Sequence, residues 1–191
     1  VNSWAQKIAV LNEQIFKFEL SGEKANDLRD SRNLILDQLS EMVNIRVEEN
    51  ASGQISVYIG DQVLVQHTTA NAISYDDSGP MTVIDPDWQS QITGGKLKGY
   101  LEIRDGAGPE AADGNTVMGI PYYLNKLDQF ARDFAKAFNE TNALGILPDG
   151  SSGGDLFQGD ASGNITALTI TISDAWRNDV NAIATSGAGE M

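Results

Sequence analysis

A hydrophobic repeat with alternating steps of three and four residues occurs three times in this sequence and constrains its fold most strongly. The three stripes are Trp4, Ile8, Leu11, Ile15 and Phe18, then Leu28, Arg32, Ile35, Leu39 and Met42, and finally Leu124, Leu127, Ala131, Phe134 and Phe138. Such spacing places each set on one face of an α-helix, and that face packs against another helix in a bundle or coiled coil. The sequence therefore predicts three long helices that pack together.

The first two stripes predict a helical hairpin. The first helix is expected over Asn2–Leu20, where Ser21-Gly22 ends it, and the second is expected to reach Val43. Asn26 or Asp27 is predicted to cap the second helix, because side chains of these types accept hydrogen bonds from the free amides of a helix start. Since the connection between the helices is short, we expect them to run antiparallel.

Between Asn44 and Val83 the period changes from that of a helix to that of strands. Apolar and polar residues alternate, which is typical of half-buried strands; the apolar positions are Ile45, Val47, Ile55, Val57, Ile59, Val63 and Val65. A further strand pair is predicted over Ala72–Tyr75 and Met81–Ile84. This region is therefore expected to form an antiparallel β meander.

The second half of the chain alternates between loops and regular elements. Lys96–Arg104 suits a strand or a helix on its apolar spacing, and Gly106–Gly119 is predicted to be a flexible loop. The third long helix is expected from Pro121 to about Asn142, because proline fits the first turn of a helix. After a second loop, Ile165–Ile172 is predicted to be a strand, followed by an irregular tail to Met191.

These elements together predict an α+β fold. Its main part is an antiparallel, coiled-coil-like bundle of long helices, formed discontinuously by residues 1–43 and 94–145. An antiparallel β meander, residues 44–93, is inserted into the bundle. Residues 146–191 are expected to begin a second region that contains β structure.

The charge and composition of the chain exclude several functional classes. Thirteen basic residues face twenty-seven acidic ones, which gives a net charge of −14. We therefore expect neither nucleic acid nor an anionic membrane as a partner, because both require a basic surface. Cysteine is absent, which excludes disulfides and thiolate chemistry. No apolar run approaches the roughly 20 residues of a transmembrane helix.

Two features resemble parts of enzyme sites. Gly106–Ala111 matches a loose dinucleotide-binding fingerprint, G-x-G-x-x-A. Pro109 removes an amide donor there, and Asp105 and Glu110 place negative charge where phosphate would bind, so a chance match is preferred. His67 is the single histidine, which speaks against a zinc site or a hydrolytic triad.

The acidic loops and the aromatic residues of the third helix have simpler interpretations. Calcium is a possible ligand of the acidic loops, but no EF-hand spacing is present and solvated turns are preferred; these residues are Asp76, Asp77, Asp85, Asp87, Asp149, Asp155 and Asp160. The aromatic residues are predicted to be core; they are Tyr122, Tyr123, Phe130, Phe134 and Phe138. We therefore predict no catalytic, cofactor-binding or metal-binding residue, and expect a protein that is not an enzyme.

Four segments in order resemble the bacterial flagellar hook-associated proteins of the hook–filament junction. The first, NDLRDSRNLILDQLS, resembles the second-helix segment of that family. The others resemble an "L-x-x-R-D" segment, a long helix ending in "F/V-N-x-x-H-x-x-G", and a "G-x-x-F" and "I-x-V-S" pair; they are Gly94–Asp105, Leu124–Asn139 with Gly145, and Gly154–Phe157 with Ile170–Asp174. One departure is the Gly106–Gly119 loop, which is longer than is usual in the family.

The resemblance implies a structural subunit of the flagellum, and it favours a helix for Lys96–Arg104. It implies export through the flagellar type III apparatus without a cleaved signal peptide, and an extracellular location. The implied partners are the hook protein, the adjacent junction protein, an export chaperone, and further copies in a ring. The chain is expected to be an interior fragment that lacks the terminal polymerisation helices. An extracellular adhesin with a helical stalk and, less favoured, a hydrolase with paired carboxylates are the alternatives.

Overall fold

A computed structural model describes residues 1–79, 81–112 and 116–187 of the chain. The structure divides into two units, Val1–Glu102 and Ile103–Met191. Each unit combines helices with antiparallel β pairs, which confirms the predicted α+β class.

The first unit begins with the predicted helical hairpin. Helix α1 spans Asn2–Glu19 and helix α2 spans Asn26–Met42. Their antiparallel arrangement follows from their side-chain pairs, because Glu19 at the end of α1 bonds Arg29 near the start of α2. The predicted cap is wrong: Asn26 already belongs to the helix, and the residue before it, Ala25, makes no side-chain cap bond. The Glu19 carboxylate instead accepts the free amide of Ala25.

The β meander after the hairpin is confirmed. Four antiparallel strands lie in the order β1-β2-β3-β4; they are β1 (Arg46–Glu49), β2 (Ile55–Ile59), β3 (Gln62–Gln66) and β4 (Thr69–Ala70). The predicted further pair forms over four residues, as β5 (Tyr75–Asp76) and β6 (Val83–Ile84). Helix α1 contacts β3 and β4, so the hairpin lies against the sheet.

One apolar core joins the hairpin and the sheet. Its side chains come from both layers, and the most buried are Ala5, Ile8, Leu39, Val43, Val57, Ile59, Leu64 and Val65. Trp88 and Ile92 extend this core from the short helix α3 (Pro86–Gln91) and its end. Helix α3 was not predicted, although Asp85 caps it and Pro86 begins it, which is a common helix start.

Two further helices follow. Helix α4 spans Gly95–Asp105, which settles the ambiguous segment in favour of a helix, as the family resemblance suggested. Helix α5 spans Ile120–Ala143 and confirms the third long helix. Because α1 and α2 belong to the first unit and α5 to the second, the three-helix bundle and the domain boundaries drawn from sequence stay predictions.

The C-terminal region contains short β pairs, but its predicted strand is mostly wrong. Strand β7 (Gly145–Ile146) pairs with β10 (Ser186–Gly187), and β8 (Phe157–Gln158) pairs with β9 (Thr171–Ile172). Within the predicted strand Ile165–Ile172, only the last two residues pair. Before them, the carbonyl oxygen of Thr166 accepts a hydrogen bond from the amide of Ile170, so the chain forms a turn there. In this segment the alternation of apolar residues therefore does not mark a strand.

The predicted irregular tail contains two short helical elements instead. Helix α6 spans Asp174–Asn178, and a 3₁₀ helix follows at Val180–Ala182. Ser173 caps α6 by accepting the amide of Trp176. The last described residues then return to pair with β7.

The prediction that the aromatic residues of α5 form a core is wrong for three of them. Tyr123 is 59% exposed, Phe130 68% and Phe138 48%. The residues of α5 that are buried are small or polar, namely Ala131, Ala135 and Asn142. The physical reason is that helix periodicity identifies an apolar face, but it does not say what covers that face.

Candidate functional site: asparagine and arginine joints between helices and β segments

Asparagine side chains connect helices to strands and loops in both units. A side-chain amide carries the same acceptor and donor as a peptide group. It therefore pairs with the backbone of a strand or loop as a neighbouring strand would. Five asparagines act in this way, and they are Asn2, Asn12, Asn44, Asn139 and Asn142.

Asn12 lies at the centre of the first unit. It is fully buried on α1, and its Nδ2 donates to the carbonyl oxygens of Ile55 at 2.8 Å and His67 at 2.5 Å. Its Oδ1 accepts the Ile55 amide at 3.3 Å. The β2–β3 pairing ends at Ser56 and Gln66. Asn12 therefore continues the hydrogen-bond ladder beyond its last strand pair and ties it to the helix.

Arg32 joins the same centre from α2. It is 2% exposed, and its Nη1 donates to Asn12 Oδ1 and to the Gly53 carbonyl oxygen, both at 2.8 Å. Its Nη2 lies 3.9 Å from the Glu49 carboxylate, and its buried Nε has no hydrogen-bond partner. Burial lowers the pKa of Arg32, because the charged form loses solvation. The arginine thus locks α2, α1 and the β1–β2 turn together at the cost of a buried charge.

A second charged group lies beside this centre, at the tip of the hairpin. Arg29 holds Glu19 through Nε and Nη2, both at 2.7 Å, and donates through Nη1 to Glu49 at 2.7 Å. The hydrogen bond from Arg29, together with that from the Ala25 amide, lowers the pKa of Glu19 to about 2. Gly53 permits this packing, since a Cβ there would lie 2.4 Å from Arg29 Nη2.

Two half-buried asparagines fix the edges of the first unit. Asn2 donates to the Ile73 carbonyl oxygen at 3.0 Å and accepts the Ile73 amide at 2.9 Å. Asn44 donates to the Gln91 carbonyl oxygen at 3.1 Å and accepts the Thr93 amide at 2.8 Å. Both ends of the segment between β4 and α4 are thereby tied to the hairpin.

The second unit has the same kind of joint on α5. Asn139 accepts the amides of Leu156 and Phe157 at 2.8 and 2.9 Å and donates to the Phe157 carbonyl oxygen at 2.8 Å. Asn142 donates to Gly154 and Ala182 and accepts from Ala184, at 2.7 to 2.9 Å. These two residues hold the C-terminal loops against the end of the helix.

An aromatic cluster lies next to the Asn139 joint. Phe134, Phe138 and Trp176 surround Phe157, with ring centroids 5.1 to 5.9 Å from that ring. The edge-to-face angles of these contacts are favourable for aromatic rings. An open apolar cavity of about 620 Å³ adjoins them, lined by residues that include Leu144 and Ile183.

The segments that resembled enzyme sites do not assemble one. The Gly106–Ala111 segment follows helix α4, whereas the dinucleotide fingerprint needs a buried strand before it. His67 lies in the turn between β3 and β4 with a φ of 54°. Its backbone carbonyl oxygen, and not its imidazole, accepts the hydrogen bond from Asn12. Most of the Gly106–Gly119 loop is described, and within it Ala107 pairs with Met118.

Several aspartate side chains of the acidic loops accept hydrogen bonds from backbone amides of the same loop. Asp76, Asp149 and Asp160 each accept the amide two residues further along, and Asp85 accepts from Asp87 in the same way. Hydrogen bonds from Ser78 and Ser151 lower the pKa of Asp76 and Asp149. Asp77 and Asp155 are exposed. In the described ranges, no three acidic or histidine side chains come together as metal ligands.

The sequence carried one signal for the joints that the sequence analysis did not use. Arg32 stands inside an apolar stripe, and Asn12 lies between Ile8 and Ile15 on the buried face of α1. A polar side chain at a buried position requires a partner. Its partner, a strand end distant in sequence, is visible only in the fold. Among the described helices, none has both the length and the apolar character needed to cross a membrane.

Helices joined to short antiparallel sheets by buried side-chain amides define a protein of the α+β class. The sequence matches the family described as "Flagellar hook-associated protein FlgK helical domain" over residues 1–157. The chain therefore belongs to the FlgK family of flagellar hook-associated proteins, which are structural proteins of the flagellum.

Individual relatives agree with this assignment. The chain is 32% identical over 185 residues to flagellar hook-associated protein 1 of Bacillus subtilis, covering 82% of this chain and 35% of that protein. It is 26% identical over 198 residues to the Escherichia coli protein of that name, covering 92% and 34%. The chain thus spans about a third of the length of the curated relatives it matches.

A solved structure supports the fold as well. The flagellar hook junction protein FlgK from Burkholderia pseudomallei matches with a TM-score of 0.60 and 28% sequence identity. The match covers 84% of this chain and 29% of that one. The similarity therefore extends from the sequence to the α+β fold class.

Proposed function

We propose that this chain is a structural segment of a subunit that forms the junction between flagellar hook and filament. The observation that carries the proposal is the family match over residues 1–157, together with relatives named flagellar hook-associated protein 1. The joint at Asn12 suits such a role, because a buried side-chain amide with all its hydrogen bonds made helps to fix one arrangement of helix and sheet.

The partners follow from the same family membership. The full-length subunit contacts the hook protein and the adjacent junction protein, and it associates with further copies in a ring. It is exported by the flagellar type III apparatus with the help of a chaperone and acts outside the cell. The net charge of −14 agrees with partners that are proteins rather than nucleic acid.

Binding to hooks tests this function directly. Full-length subunit is mixed with isolated hooks and sedimented at increasing protein concentration. Saturable recovery of the subunit in the hook pellet is expected, whereas the same protein without hooks stays in solution. A subunit that remains in the supernatant at every concentration would contradict the proposal.

Helix α5 completes a bundle of long helices in the full-length subunit. The first half of its apolar face is exposed in the described chain, because Leu124, Leu127 and Phe130 are each more than half exposed. Covering such side chains stabilises a protein by about 1.5–3 kcal/mol each. This exposure, together with the three- and four-residue spacing, supports a partner helix on that face.

One pair of substitutions tests the bundle. Leu127→Glu is expected to leave the amide-exchange stability of α5 within about 0.5 kcal/mol in the 191-residue chain, where the side chain faces solvent. In the full-length subunit the same change is expected to cost at least about 2 kcal/mol, because it buries a charge. Asn125→Glu on the exposed polar side of α5 is the matched control. Equal effects of Leu127→Glu in both proteins would refute the bundle.

A further inference from the structure

The Glu19 carboxylate lies where three segments of the first unit meet. It accepts two hydrogen bonds from Arg29 of α2 at 2.7 Å and one from the Ala25 amide at 3.1 Å. Arg29 in turn donates to Glu49 at the end of β1. These contacts lie directly over Gly53 in the β1–β2 turn. We name Glu19, Arg29, Glu49 and Gly53 the clasp.

The negative charge of Glu19 compensates the positive charges that surround it. The groups that act on it from the neighbouring elements are Arg29 of α2 and Lys24 of the connecting turn. Glu49 of β1 and the buried Arg32 of α2 complete the set around Arg29. Arg32 has its nearest Glu49 oxygen at 3.9 Å, so it is only weakly compensated. Protonating Glu19 would remove the charge that holds Arg29 through two hydrogen bonds, and would leave Arg29 beside the buried Arg32.

We propose that the clasp is an acid-operated joint, in which protonation of Glu19 releases the tip of the hairpin from the β1–β2 turn. The remainder of the first unit stays folded, because its core is built from apolar side chains such as Ile8, Leu39 and Val57, which do not titrate. The joint therefore opens locally, with the sheet and hairpin core intact.

The pKa of Glu19 sets the pH range in which the clasp opens. Its ordinary pKa is 4.5, and the hydrogen bonds from Arg29 and Ala25 lower it to about 2. A lowered pKa in the folded state means that the folded form binds the proton more weakly than the open form. The clasp therefore stabilises the closed state fully above pH 4.5 and loses that contribution as the pH falls to 2.

Nuclear magnetic resonance of the 191-residue chain tests the joint. The amides of Ala25 and Gly53 report on the clasp, and that of Ile59 in β2 reports on the sheet. Between pH 6 and pH 1.5, the Ala25 resonance is expected to titrate with a midpoint near pH 2. At the lowest pH, the heteronuclear NOE of Ala25 and Gly53 is expected to fall while that of Ile59 is unchanged.

Two variants separate the clasp from general acid effects. Glu19→Gln is expected to abolish the Ala25 titration. Glu13→Gln is expected to keep it, because Glu13 pairs with Lys17 on the exposed side of the same helix. A midpoint near pH 4.5, a titration that persists in Glu19→Gln, or simultaneous loss of the Ala25, Gly53 and Ile59 signals would overturn the proposal. Should Glu19→Gln fail to fold, the comparison of the three amides in the wild-type chain still decides.

Discussion

Replacing Asn12 by alanine should strongly destabilise the first unit. The change removes four hydrogen bonds: two donated by Nδ2 to Ile55 and His67, and two accepted by Oδ1 from Ile55 and Arg32. Alanine leaves these groups buried, and water has no direct path to a fully buried position. The substitution therefore combines lost bonds with unsatisfied polar groups.

The expected loss in the free energy of unfolding depends on whether each lost hydrogen bond is neutral or charged. A neutral hydrogen bond contributes about 0.5–1.5 kcal/mol net, and a bond to a charged group about 1.5–3 kcal/mol. Three neutral bonds and one bond to the Arg32 guanidinium together give an expected cost of about 3–7 kcal/mol. Arg32→Met should cost less, about 1–3 kcal/mol, because it also removes a buried charge and the unpaired Nε.

Urea unfolding followed by tryptophan fluorescence measures these costs. A Trp176→Phe background leaves Trp4 and Trp88 as probes of the first unit. Asn71→Ala is the matched control, since Asn71 is exposed and donates one bond to Val63, and it should cost no more than about 1 kcal/mol. The double variant Asn12→Ala/Arg32→Met should cost less than the sum of the two singles. An Asn12→Ala cost within 1 kcal/mol of wild type would refute the reasoning.

Two further substitutions test other parts of the network. His67→Gly should stabilise the first unit by about 0.5–1 kcal/mol, because the φ of 54° is strained for histidine and natural for glycine, and a lower urea midpoint would contradict this. Asn139→Ala should raise the amide exchange rates of Leu156 and Phe157 at least about tenfold, since it removes three bonds to their backbone, whereas unchanged rates would show that the loop is held by other contacts.

The helices were predictable because their signal is local. The three- and four-residue spacing placed α1, α2 and α5 within one or two residues of their observed ends. Apolar alternation also identified β2 and β3 of the meander, although β2 is buried on both faces. Alternation failed at Ile165–Ile172, where the Thr166 backbone and hydroxyl favour a turn.

The joints were not predictable because their partners are distant in sequence. Asn12 and Ile55 are 43 residues apart, and Asn142 and Ala184 are 42 apart. Sequence identifies a polar residue at a buried position, but the backbone group that satisfies it is chosen by the fold. Helix capping at Ala25 was missed for the same reason, since Glu19 supplies the acceptor from the preceding helix.

A deletion strain tests the proposal that the full-length protein joins hook to filament. The gene is deleted, and the fraction of hooks that carry filaments is counted by electron microscopy, with a strain restored by the full-length gene as the control. We expect the deletion strain to make hooks in normal number without filaments, and the restored strain to recover its filaments. Hooks that carry filaments normally in the deletion strain would contradict it.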